Sequence, residues 1–143
     1  MKYRELTSKH QKEVNALPIM FAFSNKQFEE GMRNQLGLDP NETDKIYKLG
    51  STGGFYKKSD APLLKETFDR HALELQEAMK DDDFVLDMFE YEMGNHEYQI
   101  SRDKEEVINA CGLDLDEMDE RLERLWKQAR KHFLDLCDKN DWY

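Results

Sequence analysis

The chain has 143 residues, 31 of them Asp or Glu and 21 Lys or Arg, which gives a net charge of −10 at neutral pH. Hydrophobic residues make up 38% and aromatics 11%, enough for a buried core, so disorder is not expected despite the charge. No apolar run approaches the roughly 20 residues that span a bilayer, and the opening MKYRELTSKHQKEV lacks the apolar stretch of a signal peptide. A cytoplasmic protein with one domain over residues 1–143 is the simplest expectation.

Taken in chain order, Tyr3, Leu6, His10 and Val14 recur at helical spacing and predict an amphipathic helix over 2–16. Leu17-Pro18 stops it, because proline disfavours helical geometry in the residue before it. Ile19 to Phe23 reads as a short buried strand. Ser24 with Gln27 three residues on is a capping box that opens a helix with Phe28, Met32 and Leu36 on its apolar face, and Gly37 stands where a left-handed cap belongs. Residues 45–58, with Ile46, Tyr47 and Leu49 before a glycine cluster and Phe55 and Tyr56 after it, predict a β-hairpin.

A helix over 61–80 follows, with Pro62 tolerated in its first turn and Leu64, Phe68, Leu75 and Met79 toward the core. After Asp81, Asp82 and Asp83, the segment FVLDMFEYEM is apolar on more than one face, the mark of a helix at the centre of a core. Gly94 is expected to end it, with Asn95 and His96 serving nearby backbone groups and Tyr98 plugging the core. Residues 103–111 make a short helix ended by Gly112. Asp114 with Glu117 forms a second capping box for a last helix over 115–138, whose stripe is Met118, Leu122, Leu125, Ala129, Phe133 and Leu136. The fold class is therefore α+β, about five helices packed around a small antiparallel sheet made of one strand near 19–23 and a hairpin near 45–58. Cys111 and Cys137 fall on apolar helix positions and form no CxxC pair, so buried reduced thiols are expected.

Charge is distributed very unevenly. Residues 1–80 carry 12 acids and 13 bases, and residues 121–143 carry 4 acids and 6 bases. Residues 81–120 carry 15 acids against Arg102 and Lys104 alone. Such a block repels nucleic acid and attracts basic surfaces. Its candidate contact residues are Asp81, Asp82 and Asp83 at the start and Asp114, Asp116, Glu117, Asp119 and Glu120 at the end. The other reading of the block is a solvated face that aids solubility.

Two further motifs carry chemistry. The glycine hairpin, with Gly50, Gly53 and Gly54 followed by Lys57 and Lys58, could cradle a nucleotide or phosphate. The Walker pattern is absent, because Phe55 and Tyr56 stand where its Gly and Lys would be. Gly94-Asn95-His96-Glu97 matches one block of the calcineurin-like metallophosphoesterases. A two-metal site needs ligands from several loops, and here Asp69-Arg70-His71 lies in a predicted helix and only His132 follows downstream. No metal ligands, catalytic residues or cofactor are therefore assigned.

The stretches LPIMFAFSNKQFEEGM, LGLDP, DKIYKLG, GGFYKKSDA, DRHALELQEA and DMFEYEMGNHEYQ resemble an uncharacterised family of small proteins encoded by gut bacteria, their phages and mobile elements. The resemblance covers residues 17–113 and implies no established activity or site residues. In the relatives the loop before the DMF helix is longer than Lys80–Asp83. The mobile-element setting implies a class of function: an acidic, non-enzymatic, anti-CRISPR-like inhibitor that occupies a basic nucleic-acid-binding surface of a host defence nuclease such as Cas9. The expected partner is thus a basic nucleic-acid-binding protein, with no direct nucleic-acid or membrane binding. The alternatives are a nucleotide- or phosphate-binding protein using the hairpin, and a metal-dependent phosphoesterase.

Overall fold

Seven apolar residues within the ten positions Phe84 to Met93 cannot share one stripe of a surface helix, so this helix can hide them only by being covered on several sides. In a computed structural model, which describes residues 2–143, that helix does so. It is α4 (Asp82–Asn95), and the described residues form seven α-helices and three short strands. The number of helices corrects the expected five or so, while the α+β class and the small antiparallel sheet stand. The chain divides into two compact units, one made of the residues up to Lys9 together with Glu74–Tyr143, the other of His10–Leu73. The helices α1 (Tyr3–Asn15) and α3 (Ala61–Ala78) contribute residues to both.

The first unit is helical. Phe84, Val85, Met88, Phe89 and Met93 of α4 are buried, joined by Tyr3 and Leu6 of α1 and by Val107 and Ile108 of α6 (Lys104–Ala110). The last helix, α7 (Glu120–Asn140), adds Leu122, Leu125, Trp126, Ala129, Phe133 and Cys137. Relative to the predicted stripe, Trp126 joins it and Cys137 replaces Leu136, because successive steps of four drift around a helix of 3.6 residues per turn. The Trp126 ring meets the edges of Phe89 at 5.5 Å and Tyr98 at 5.4 Å between centroids. Tyr98 is buried, as its sequence position suggested.

Three boundaries in this unit differ from expectation. The helix α4 runs through Gly94 to Asn95, and the left-handed residue that turns the chain is Glu97, with φ 50°. Nothing in the structure requires glycine at position 94. A short helix, α5 (Tyr98–Ser101), lies between Glu97 and a second left-handed residue, Arg102, at φ 54°. Asp114 caps a 3₁₀ turn over Leu115–Glu117, its carboxylate accepting from the Asp116 amide at 3.0 Å. Backbone geometry then turns extended at Met118, and α7 begins two residues later with Asp119 accepting from the Leu122 amide at 2.8 Å. By contrast α6 follows the sequence closely, with Asp103 as its cap and Gly112 at φ 76° beyond its end.

The second unit holds the sheet. Strands β1 (Met20–Phe21), β2 (Ile46–Leu49) and β3 (Gly54–Lys57) pair antiparallel in the order β1-β3-β2. The predicted strand at 19–23 is reduced to two residues, Met20 opposite Phe55 and Phe21 opposite Gly54. One sheet face packs Ile46, Phe55 and Met20 against Met32, Leu36 and Phe28 of the α2 region, where α2 spans Asn25–Asn34. Gly31 makes this possible: a Cβ there would stand 2.5 Å from Cγ and Sδ of the buried Met20. Ser24 caps α2 by accepting from the Gln27 amide at 3.2 Å, and Gln27 reaches back to the Phe23 amide at 2.8 Å, one residue earlier than an ideal box. On α3, Leu64 and Thr67 are buried whereas Phe68, expected in the core, is 37% exposed. No helix among the described residues is long and apolar enough to cross a membrane.

Candidate functional site

The two units differ sharply in charge. Residues 10–73 carry nine acids and nine bases, so the whole net charge of −10 belongs to the helical unit. Helix starts explain part of this excess, because carboxylates are favourable where first-turn amides lack partners. Asp81 caps α4 through the Asp83 amide at 2.9 Å, and Asp114 and Asp119 cap as described above. Asp82 accepts from Arg121 Nε at 2.8 Å, and Arg121 Nη2 donates to the Met79 carbonyl at 2.8 Å. That ion pair ties the first turn of α4 to the first turn of α7, bringing the two predicted acidic groups to one end of the unit.

Of the eight predicted contact residues, four therefore have local work in holding helix starts together. The other four, Asp83, Asp116, Glu117 and Glu120, are exposed, and no hydrogen bond or ion pair through their side chains occurs among the described residues. The structure also adds residues that the sequence reading did not single out. A cleft of about 370 Å³ is lined by Asp81, Asp83, Asp87 and Glu90 around Lys2 and Phe84. Asp87 accepts from the Tyr3 amide at 2.9 Å, and Glu90 pairs with His132. The signal for Asp87 was present in the sequence as a carboxylate one helical turn beyond Asp83.

A separate polar cluster lies under this surface. Glu92 is only 6% exposed and receives the Tyr3 hydroxyl at 3.4 Å and His96 Nε2 at 3.4 Å, while His96 Nδ1 faces Glu106 at 2.9 Å. His96 therefore bridges two carboxylates, where the sequence reading had it serving backbone groups. Burial, with Glu92 adding to it, raises the Tyr3 hydroxyl above its ordinary value. The same two causes push the Cys111 thiol up to about 12. Cys111 and Cys137 are buried and free, and the Tyr3 hydroxyl and the Cys111 thiol keep their protons at neutral pH. It holds α1, α4 and α6 together, and a lone Glu in an otherwise apolar helix face with His four residues on was its only sequence signal.

Both ring nitrogens of His96 face carboxylates, and Asp69-Arg70-His71 lies within α3. There His71 Nε2 meets Glu13 at 2.9 Å and the His71 ring stacks on His10 at 3.8 Å. The Arg70 guanidinium, and after it the His71 ring, hold the Glu13 carboxyl down at about 2. No group of three or more His, Cys, Asp or Glu side chains among the described residues is arranged to hold a metal ion.

In the hairpin, Gly50 and Gly53 take φ 54° and 81°, conformations that suit glycine. A Cβ on Gly53 would lie 2.5 Å from the Phe23 ring, and one on Gly54 would lie 3.1 Å from Ile19 and Phe21 side-chain atoms. The glycines thus let aromatic side chains close over the turn. Lys57 pairs with Ile46 at the opposite end of the hairpin, roughly 10 Å along the strand at ~3.3 Å per residue. Lys58 sits over the Tyr47 ring at 4.9 Å. The glycine turn and the two lysines are not brought together.

Residues 2–132 match the model of a family of unknown function, DUF7659. No curated protein and no solved structure matches the chain.

Proposed function

The chain belongs to this family of unknown function, and on that premise we propose that it is a non-enzymatic binding protein whose acidic unit docks on a basic, nucleic-acid-binding surface of another protein. The observation that carries the reading is a set of exposed first-turn carboxylates whose side chains have no hydrogen-bond or ion-pair partner among the described residues. Asp83, Asp116, Glu117 and Glu120 neither cap a helix nor meet a cation, and they lie at the end where Asp82 and Arg121 join α4 to α7. Uncompensated like charges on one face cost folding stability through self-repulsion. A basic partner recovers that cost on binding and is steered to the face from solution. In its specific form the partner is a host defence nuclease of the CRISPR type, and the chain is an inhibitor of phage or mobile-element origin.

Changing Asp83, Asp116, Glu117 and Glu120 together to their amides tests the reading without touching a cap. Against a guide-loaded CRISPR nuclease, the unaltered chain should bind in competition with target DNA. Its affinity should fall steeply between low and high salt, because screening acts over about 8 Å at physiological ionic strength. The fourfold variant should associate at least tenfold more slowly while melting at nearly the same temperature. An affinity that is flat with salt and indifferent to the four changes rejects the proposal.

A further inference from the structure

We propose that the outer edge of β2 in the sheet unit binds an extended peptide segment with alternating apolar and acidic residues, which adds to the sheet as a fourth strand. In the order β1-β3-β2, strand β2 has β3 as its single strand neighbour. Alternate amides and carbonyls of Ile46–Leu49 therefore point away from the sheet, and no side chain among the described residues donates to or accepts from them except Thr52, at the Leu49 carbonyl. Such a row is a template for another strand.

What lies beside the edge fits one side of an incoming strand. Tyr47 faces Tyr56 across the ladder, so by the two-residue period of a strand Tyr47, Leu49 and Tyr56 share the sheet face opposite Ile46 and Phe55. On that face a cleft of about 500 Å³ opens between the hairpin and the start of α3, lined by Leu49, Tyr56, Pro62, Leu64, Lys65 and Phe68. Tyr47 is 47% exposed at its border. Alternate side chains of an added strand would fall on this apolar face, so every second residue of the occupant is apolar.

Charge decides the rest of the occupant. Lys45 is paired with Glu42 and Lys65 with Asp69, and Lys58 stands over the Tyr47 ring, but Lys48 and Lys57, on the Ile46 face, have no carboxylate partner among the described residues. Lys48 is exposed on the edge strand itself, on the face it shares with Ile46. Two copies of the chain joined edge to edge would set these lysines against one another, and lysine at a strand edge is a common guard against such pairing. A strand bearing carboxylates on its other face meets them with opposite charge. The site is independent of the acidic unit and of the function proposed for it.

The test uses the full chain and two decapeptides at neutral pH, one alternating valine with glutamate and the other valine with lysine. The glutamate peptide should shift the backbone amide resonances of Ile46–Leu49 saturably and slow hydrogen exchange there at least tenfold. In the variant Lys48→Glu/Lys57→Glu its affinity should drop at least tenfold, and the lysine peptide should bind in its place. Four outcomes overturn the proposal: no shift at β2, shifts confined to residues outside 46–68, equal binding of both peptides, or exchange protection of β2 in the peptide-free chain with the mass of a dimer, which would assign the edge to a second copy.

Discussion

The two units solve the problem of folding 143 residues in different ways. The helical unit carries the whole net charge of −10 over a cluster of seventeen buried side chains. The sheet unit is neutral, and its buried cluster consists of Met20, Met32 and Leu36 with partly covered neighbours. It also leaves Phe21, Phe23, Tyr47 and Phe68 substantially exposed. Buried apolar area sets how much surface repulsion a fold tolerates, so the unit with the larger core is the one that carries the charge. The sheet unit depends on close backbone approach, with Gly31 under Met20 and Gly53 under Phe23.

The largest expected effect pits the two cores against each other. Phe89 is fully buried in the helical unit, and Phe89→Ala should cost about 3–5 kcal/mol, the range for truncating a buried aromatic. Met32→Ala in the sheet unit should cost about 2 kcal/mol, the low end for its type, because a small cluster has room to relax. Trp126 and Trp142 both lie in the helical unit, so urea unfolding followed by tryptophan fluorescence reads that unit, while far-ultraviolet circular dichroism reads the whole chain. If Met32→Ala moves the fluorescence midpoint in proportion to its own cost, the two units unfold as one and the contrast between them is lost.

A smaller effect sharpens the claim about backbone approach. Alanine at position 31 gains up to about 1 kcal/mol in helix propensity, but its Cβ must displace a buried Met20 side chain that stands at 2.5 Å. Gly31→Ala should therefore be destabilising by about 1–2 kcal/mol in chemical denaturation, since overpacking outweighs propensity. A gain in stability would show that Met20 is free to move and that the sheet unit does not depend on this contact.

The smallest effects concern the charged surface. Asp82→Asn removes the carboxylate facing Arg121 in a pair that is 52% and 35% exposed, and should cost about 0.2–1 kcal/mol. Glu120→Gln, at a side chain with no partner, should stay within about 0.5 kcal/mol of zero. Thermal melts in low and high salt separate the two. Equal losses for both would mean that the acidic end is held together by more than the Asp82–Arg121 pair.

Much of the fold was legible because local signals agreed with tertiary need. Ser24 with Gln27, Asp103, and the glycines at 37, 50, 53 and 112 each mark a boundary through a cap or a positive φ. The over-apolar run from Phe84 to Met93 announced the central helix. Errors arose where the deciding contact was distant or the usual marker was missing. The turns at Glu97 and Arg102 use non-glycine residues in left-handed geometry, so nothing in the sequence flagged α5. Asp114 and Asp119 are both competent caps, and the choice between them rests on where Leu122 can reach the core. Phe68 was assigned to the core by spacing, which says which face a residue occupies but not whether anything covers it. For the candidate site, the acidic composition was legible, whereas the split between capping carboxylates and idle ones needed the Asp82–Arg121 pair and the start of α7.

The helical unit is discontinuous along the chain, and this orders events during synthesis. Tyr3 hydrogen-bonds and packs against residues 84 or more positions later, at Asp87, Tyr91 and Glu92. At about 5–20 residues per second, a ribosome needs roughly 4–18 s to supply them after Tyr3 has been made. Residues 10–73 are complete 14 residues before Asp87, about 1–3 s earlier at that rate, so the sheet unit can form first. The opening turn of α1 must meanwhile keep Tyr3 and Leu6 uncovered until α4 emerges. The nascent chain therefore presents its aromatic sheet unit and an unfinished α1 before any of the acidic surface exists, which is the interval in which it is most exposed to chaperones and to wrong partners.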